Sequence, residues 1–340
     1  MNPHRRVSAV LLVATVLLVA ANLCFGTVQI PLRGVMAVLT GGTSGKESWD
    51  FIITQSRIPS IITAMLAGAS LSASGLMLQT VFRNPLAGPD ILGINSGAGL
   101  GVALVMMICG GNISAGSLTL GANISIIAGA FVGALAVTGI MLLLSSRLKS
   151  PVTLLIAGIM VSYLTSSVIS LLNFFSTSEG VHSYIIWGMG NFGGVAMNQL
   201  PFFCTVTLAG LAISLLLIKP LNALLLGDLY ASNLGIDIRR ARALLLLSTG
   251  LLVAVTTAFC GPVSFIGLAV PHIARMLLHN GNHRILMPTA IFTGMATALL
   301  CNVLSTLPGD RGLIPLSAVT PFIGAPVIIY ILLKGNRSIR

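Results

Sequence analysis

Chemistry inside a protein cleft or a bilayer is carried by ionisable side chains, and among 340 residues this chain holds only seven Asp and Glu and five His. The carboxylates are Glu47, Asp50, Asp90, Glu179, Asp228, Asp237 and Asp310, and each falls in an expected loop or at the end of an apolar run. A proton- or ion-coupled carrier, like an intramembrane carboxylate enzyme, holds an ionisable group within the bilayer, where it is costly and therefore functional. The pattern argues against both. An ion-coupled secondary transporter or channel that needs no ATPase is kept as the alternative reading. His272, His279 and His283 bring the last two to the four-residue spacing of helical metal ligands. Gly281 and Asn282 interrupt that helix, and no carboxylate or cysteine completes the set, so they read as interfacial polar residues and no metal site is expected. No HExxH or paired carboxylates occur, and no catalytic residue is assigned. The stretch Gly41 to Glu47 imitates a phosphate loop but is one residue short, and Glu47 stands where Ser or Thr would hold magnesium. Any ATP must then be hydrolysed by another chain.

The elements that position these residues follow from composition. A chain that is 55% hydrophobic and 7% charged, with mean hydropathy +1.00, carries more apolar surface than a water-soluble core can hold. Its apolar runs are long and continuous, which selects helices over a membrane barrel. Spans are expected near 7–25, 59–80, 91–109, 119–145, 152–174, 197–218, 243–260, 263–279, 288–306 and 315–333, in one transmembrane domain covering 1–340. Arg5 and Arg6 precede the first run, and without a small-residue cleavage site after it that run reads as a retained span. Fourteen Lys and Arg fall on the side of the chain ends against four opposite, namely Arg33, Lys46, Arg57 and Arg311, which places both termini in the cytoplasm. The basic residues are scattered at span ends rather than gathered with aromatics, so the net charge of +11 does not indicate nucleic acid. Cys24, Cys109, Cys204, Cys260 and Cys301 lie in or beside apolar runs and read as small core hydrophobes.

Gly93, Gly97 and Gly101 form a double GxxxG, and Ala64, Gly68 and Ser72 a weaker small-residue stripe; both read as helix-packing seams. In the inner segment 219–242, Gly227 with Asp228 and then Gly235 break two short helical stretches. Asp228 can cap the second stretch, and Gly235 can supply a left-handed stop. Pattern alone leaves a plain interfacial loop and a docking surface equally open.

Five segments, in order, resemble the FecCD family of permeases, which includes importers of cobalamin, haem and ferric siderophores. They are RIPSIITAMLAGASLSASGLMLQTVFRNPLAGPDILGINSGAGLG at 57–101, FSTSEGVHSYIIWGMGNFGG at 175–194, LLLGDLYASNLGID at 224–237, GPVSFIGLAVPHIAR at 261–275 and IPLSAVTPFIGAP at 314–326. The resemblance implies an all-α polytopic protein of about ten spans, with the type II ABC importer permease fold, in the bacterial inner membrane. It implies three kinds of partner: a second permease copy, two cytoplasmic ABC ATPases and a periplasmic binding protein. ATP and magnesium would sit on the ATPase, with no cofactor on this chain. Leu226, Gly227, Asp228, Leu229, Ser232 and Gly235 match the loop that couples to the ATPase, and Asn84, Pro85 and Leu86 match the inner gate turn. Arg83, beside that turn, reads as an interfacial anchor. Arg57 matches one arginine that docks the binding protein; Ser60 replaces a second, and Arg311 stands in for another. Pro151 and Val152 occupy the place of a second gate, which is not carried over. The cargo class is a metal chelate, with ferric siderophore first by family breadth and haem or cobalamin next.

Overall fold

The computed structural model describes residues 3–107, 113–115, 118–148, 150–307 and 312–335. Its helices are α1 Pro3–Cys24, α2 Leu32–Leu39, α3 Glu47–Ile52, α4 Ile58–Val81, α5 Ile94–Met107, α6 Ala122–Arg147, α7 Pro151–Phe175 and α8 Ser178–Gly188. There follow α9 Leu200–Leu216, α10 Ile218–Leu225, α11 Asp228–Asn233, α12 Ile238–Cys260, α13 Ile266–Leu278, α14 His283–Thr306 and α15 Leu316–Gly335. A small hairpin, Ile113–Ala115 with Leu118–Leu120, joins α5 to α6.

Ten of these helices stand where apolar runs were expected. Six are long and apolar enough to cross a bilayer: α1, α4 with its short lead-in from Glu47, α6, α7, α12 and α14. Counted as one span, the α9–α10 pair, bent by 48°, makes a seventh, and α5, α13 and α15 are shorter apolar helices.

The core is built on α4, which packs along α14 and against α9, α12 and α13. Small residues permit this. A Cβ on Gly68 would lie 2.2 Å from the Gly294 carbonyl oxygen, and one on Gly75 only 1.6 Å from that of Gly267, so these backbones touch directly. The same holds between α5 and α6, where a Cβ on Gly101 would meet the Gly129 carbonyl at 1.9 Å. Both small-residue stripes are packing seams.

Two further crossings are broken. The chain between α4 and α5 does not stay at the helix ends: it runs inward through a 3₁₀ turn, Pro89–Leu92, until Ile91 and Leu92 lie against Gly158 of α7. Gly158 is the eighth residue of its helix, about 10 Å from its start. Pro89 abuts Gly267 at the start of α13, which therefore also begins inside the bundle. This corrects the position expected for Asp90, which lies at the inner bend of a re-entrant segment rather than at a span end. Its carboxylate accepts from the Asn95 side chain and from the backbone of Phe265, and Asn95 in turn accepts from Thr257 at 2.7 Å. Phe265 has φ +67°, a left-handed conformation rare for an aromatic residue, at the point where α13 starts.

The phosphate-loop imitation is spent on local structure. Asp50 accepts from the Ser44 backbone N–H at 2.9 Å and from its hydroxyl, and Lys46 lies over the Trp49 ring at the head of α3.

Candidate functional site: gate turn and coupling segment

The segment 218–237 is held as two short helices by two glycines. Gly227 has φ +110° and Gly235 φ +79°, values open to glycine because it has no Cβ. Past α11 the N–H of Gly235 donates to Ser232 and that of Ile236 to Ala231, the paired bonds of a left-handed helix stop. Gly235 performs the role expected of it. Asp228 does not: its carboxylate caps no helix, and the residue that does so is Asp237, which accepts from the Arg240 N–H at the start of α12.

Asp228 instead accepts from two arginines far from it in sequence. Arg83 donates to Oδ1 at 2.5 Å and Arg242 to Oδ2 at 2.8 Å. Arg242 lies on α12 with its side chain 9% exposed, whereas Arg83 is half exposed at the end of α4. The Arg83 backbone is left-handed, φ +47°, and the helix ends there. A charge pair 145 residues apart has no signature in a local pattern, which is why the sequence suggested only a cap and an anchor.

Arg83 opens the Asn84–Leu86 turn. Asn84 Oδ1 accepts from the Leu86 N–H at 2.9 Å, its own N–H donates to Gln79 and its carbonyl accepts from Ala87. Pro85 has no N–H to give, and its carbonyl accepts from His272 Nε2 of α13 at 2.7 Å. Leu86 is left exposed at the tip. One turn back on α4, Gln79 accepts from Arg275 at 2.6 Å and donates to the Leu268 carbonyl. Thr80 lies 2.9 Å from His283 Nε2, and His283 Nδ1 lies 3.0 Å from Asn222 Oδ1 on α10. His272 and His283 thus serve separate elements. Gln79, Thr80 and Asn222 carried no signal in the sequence, and Arg242 and Arg275 showed only as basic residues on the side of the chain ends.

Beyond these ties the segment 218–237 presents apolar side chains that nothing covers. Leu226 is 62% and Leu229 85% exposed, with Leu225, Tyr230 and Leu234 also open, while Ala231 is buried beneath them. Ser232 is exposed on the rim of a cleft of about 420 Å³, whose other walls include Ser145, Ser146 and Arg239.

The opposite face corrects a second expectation. Arg57 does not present its guanidinium outward. It is 8% exposed and donates to the Leu23 and Val28 carbonyls, fixing the chain between α1 and α2. Ser60, where a second arginine was anticipated, accepts from Asn302, which also donates to Asn22 at 2.8 Å. These residues line a polar cleft of about 180 Å³. Arg311 lies outside the described residues.

Relatives agree with this architecture. Over 291 residues the chain is 35% identical to the vitamin B12 import system permease protein BtuC of Klebsiella pneumoniae, covering 84% of this chain and 83% of that one. It is equally similar, over 288 residues, to BtuC of Salmonella arizonae, covering 85% and 84%. Among solved structures it resembles a metal-chelate type ABC transporter in an inward-facing conformation, at TM-score 0.81 and 29% identity over 97% of this chain and 99% of that one. PsaBC from Streptococcus pneumoniae shares the fold at TM-score 0.54 and 18% identity, over 80% and 89% of the two chains. The FecCD transport family model matches residues 12–334, and the chain belongs to that family, as the multi-pass membrane permease of an ABC importer.

Proposed function

We propose that this permease carries a metal chelate from periplasm to cytoplasm, with cobalamin the first candidate and haem and ferric siderophores after it. The names of its relatives move cobalamin ahead of the siderophore expected from family breadth. The driving force comes from two ATPase subunits docked on α10 and α11, which hold the ATP and magnesium, and the cargo is delivered by a binding protein on the opposite face. Both termini lie in the cytoplasm, on the side of the basic residues. A second copy of the chain covers the open face of α7, where Ile156, Met160, Tyr163 and Phe174 fall on one side of the helix, all exposed.

One observation carries this reading: an exposed apolar segment is bound by the Arg83–Asp228 ion pair to the end of α4, where the Asn84–Leu86 turn begins, and by a polar side-chain tie to α4 itself. Exposed apolar residues clustered this way mark a surface that a partner covers. The test is ATP-dependent uptake into liposomes holding the chain, its ATPase and its binding protein, with cyanocobalamin, haem and a ferric siderophore offered separately. Uptake of cyanocobalamin requiring all three components is the expected result. Uptake of another chelate alone replaces the cargo, and uptake without the ATPase overturns the importer reading in favour of an ion-coupled carrier.

A further inference from the structure

The turn Asn84–Leu86 and the helix α11 are separate in sequence, and each is well formed without the other. Asp228 joins them. Its Arg242 arm reaches into α12 and is nearly buried, so that arm holds the carboxylate in place. Its Arg83 arm crosses to the residue just before the turn and is 46% exposed at the arginine and 36% at the carboxylate. An exposed ion pair adds little to stability, because water already solvates both charges. The left-handed backbone at Arg83 is nevertheless maintained by a residue with a Cβ, and such conformations persist where the surroundings fix them.

We propose that Arg83 and Asp228 form a clasp that transmits displacement of the coupling segment to the Asn84–Leu86 turn, making Arg83 a positioning residue for transport. The clasp rests on the reading of α10 and α11 as the ATPase-docking segment. Moving α11 displaces Asp228, and the Arg83 arm carries that displacement into a turn that is otherwise secured to α4 and α13. The tie through Asn222, His283 and Thr80 differs: it is largely buried, lies on α10 and ends on α4 rather than on the turn.

The experiment follows the turn directly and needs no cargo. Leu86→Cys in the complete complex is labelled with a hydrophilic maleimide, with and without ATP and vanadate; the parent chain, whose described native cysteines are half-buried or buried, sets the background. Nucleotide is expected to change the Leu86→Cys labelling rate by about fivefold or more, within the usual range of coupling between sites. R83Q abolishes that response while ATP hydrolysis continues, R83K restores part of it, D228N abolishes the response as well, and the R83Q/D228N double variant is no worse than D228N alone. A nucleotide response that survives R83Q, or one absent from the unaltered complex, overturns the clasp. Leu229→Glu tests the underlying reading separately. If it leaves ATPase assembly intact, the docking segment lies elsewhere; if it blocks assembly while R83Q responds normally, docking stands and the clasp fails.

Discussion

Helices α4 and α7 are both long, apolar and nearly free of charge, yet 89% of the apolar window containing α4 is buried inside the single chain and only 17% of that in α7. The difference lies in their small residues. On α4, Gly68 and Gly75 bring neighbouring backbones into direct contact, and the stretch from Ser70 to Val81 is buried throughout. On α7, Gly158 meets the re-entrant turn and the Met141 side chain of α6 rather than the backbone of another long helix, while Leu164, Leu171 and Phe174 are large and exposed. Hydropathy therefore reports that a helix tolerates lipid. The spacing of small residues reports whether another helix covers it.

Adding bulk to each helix tests this contrast. Gly75→Leu is expected to have the largest effect, because a Cβ there falls within 1.6 Å of the Gly267 carbonyl oxygen and α4 must separate from α13. Loss of monodisperse protein after detergent extraction is the expected readout; normal yield and elution would mean the seam can open. Ser167→Trp places more bulk on the exposed face of α7 and should leave the stability of the single chain within about 0.5 kcal/mol. It should nevertheless weaken association of two copies, as seen by cross-linking in membranes, and unchanged cross-linking would assign that face to lipid. Asn302→Ala removes the amide contact between α14 and the thinly covered α1, and should cost only about 0.6 kcal/mol, typical of a polar contact between membrane helices. A shift of many degrees in thermal unfolding would show that α1 depends on that contact far more than its exposure suggests.

The contrast also marks where the sequence was legible. Apolar runs near 59–80 and 152–174 became Ile58–Val81 and Pro151–Phe175, because bilayer thickness sets helix length and the runs record it. The same rule conceals the broken crossings. A window of apolar residues covers 91–109 and 263–279 equally well whether the helix is complete or starts partway in, so Asp90 read as a span-end residue. Local turn chemistry was readable at Gly235, whose role depends on its own backbone, and unreadable at Asp228, whose partners lie on α4 and α12. Arg57 matched a docking position by type, but its direction is set by the Leu23 and Val28 carbonyls, which no pattern reveals. Gly75 was passed over beside the Gly68 stripe although it makes the closer contact.

The broken crossings at α5 and α13 bear on how the chain is made. With 13 residues, α13 is about 20 Å long, against a hydrocarbon core of about 30 Å, and α5 starts beside Gly158, about 10 Å inside the bundle. Neither can be left alone in lipid at the ribosome exit, because the irregular backbone completing each crossing needs protein around it for its polar groups. The first is sheltered by α7 and α13 and the second by Pro89 and α15, elements translated later or earlier by many tens of residues. Biogenesis of this permease therefore cannot proceed one helix at a time: α5 must wait for α7, and α13 must enter a bundle already partly assembled.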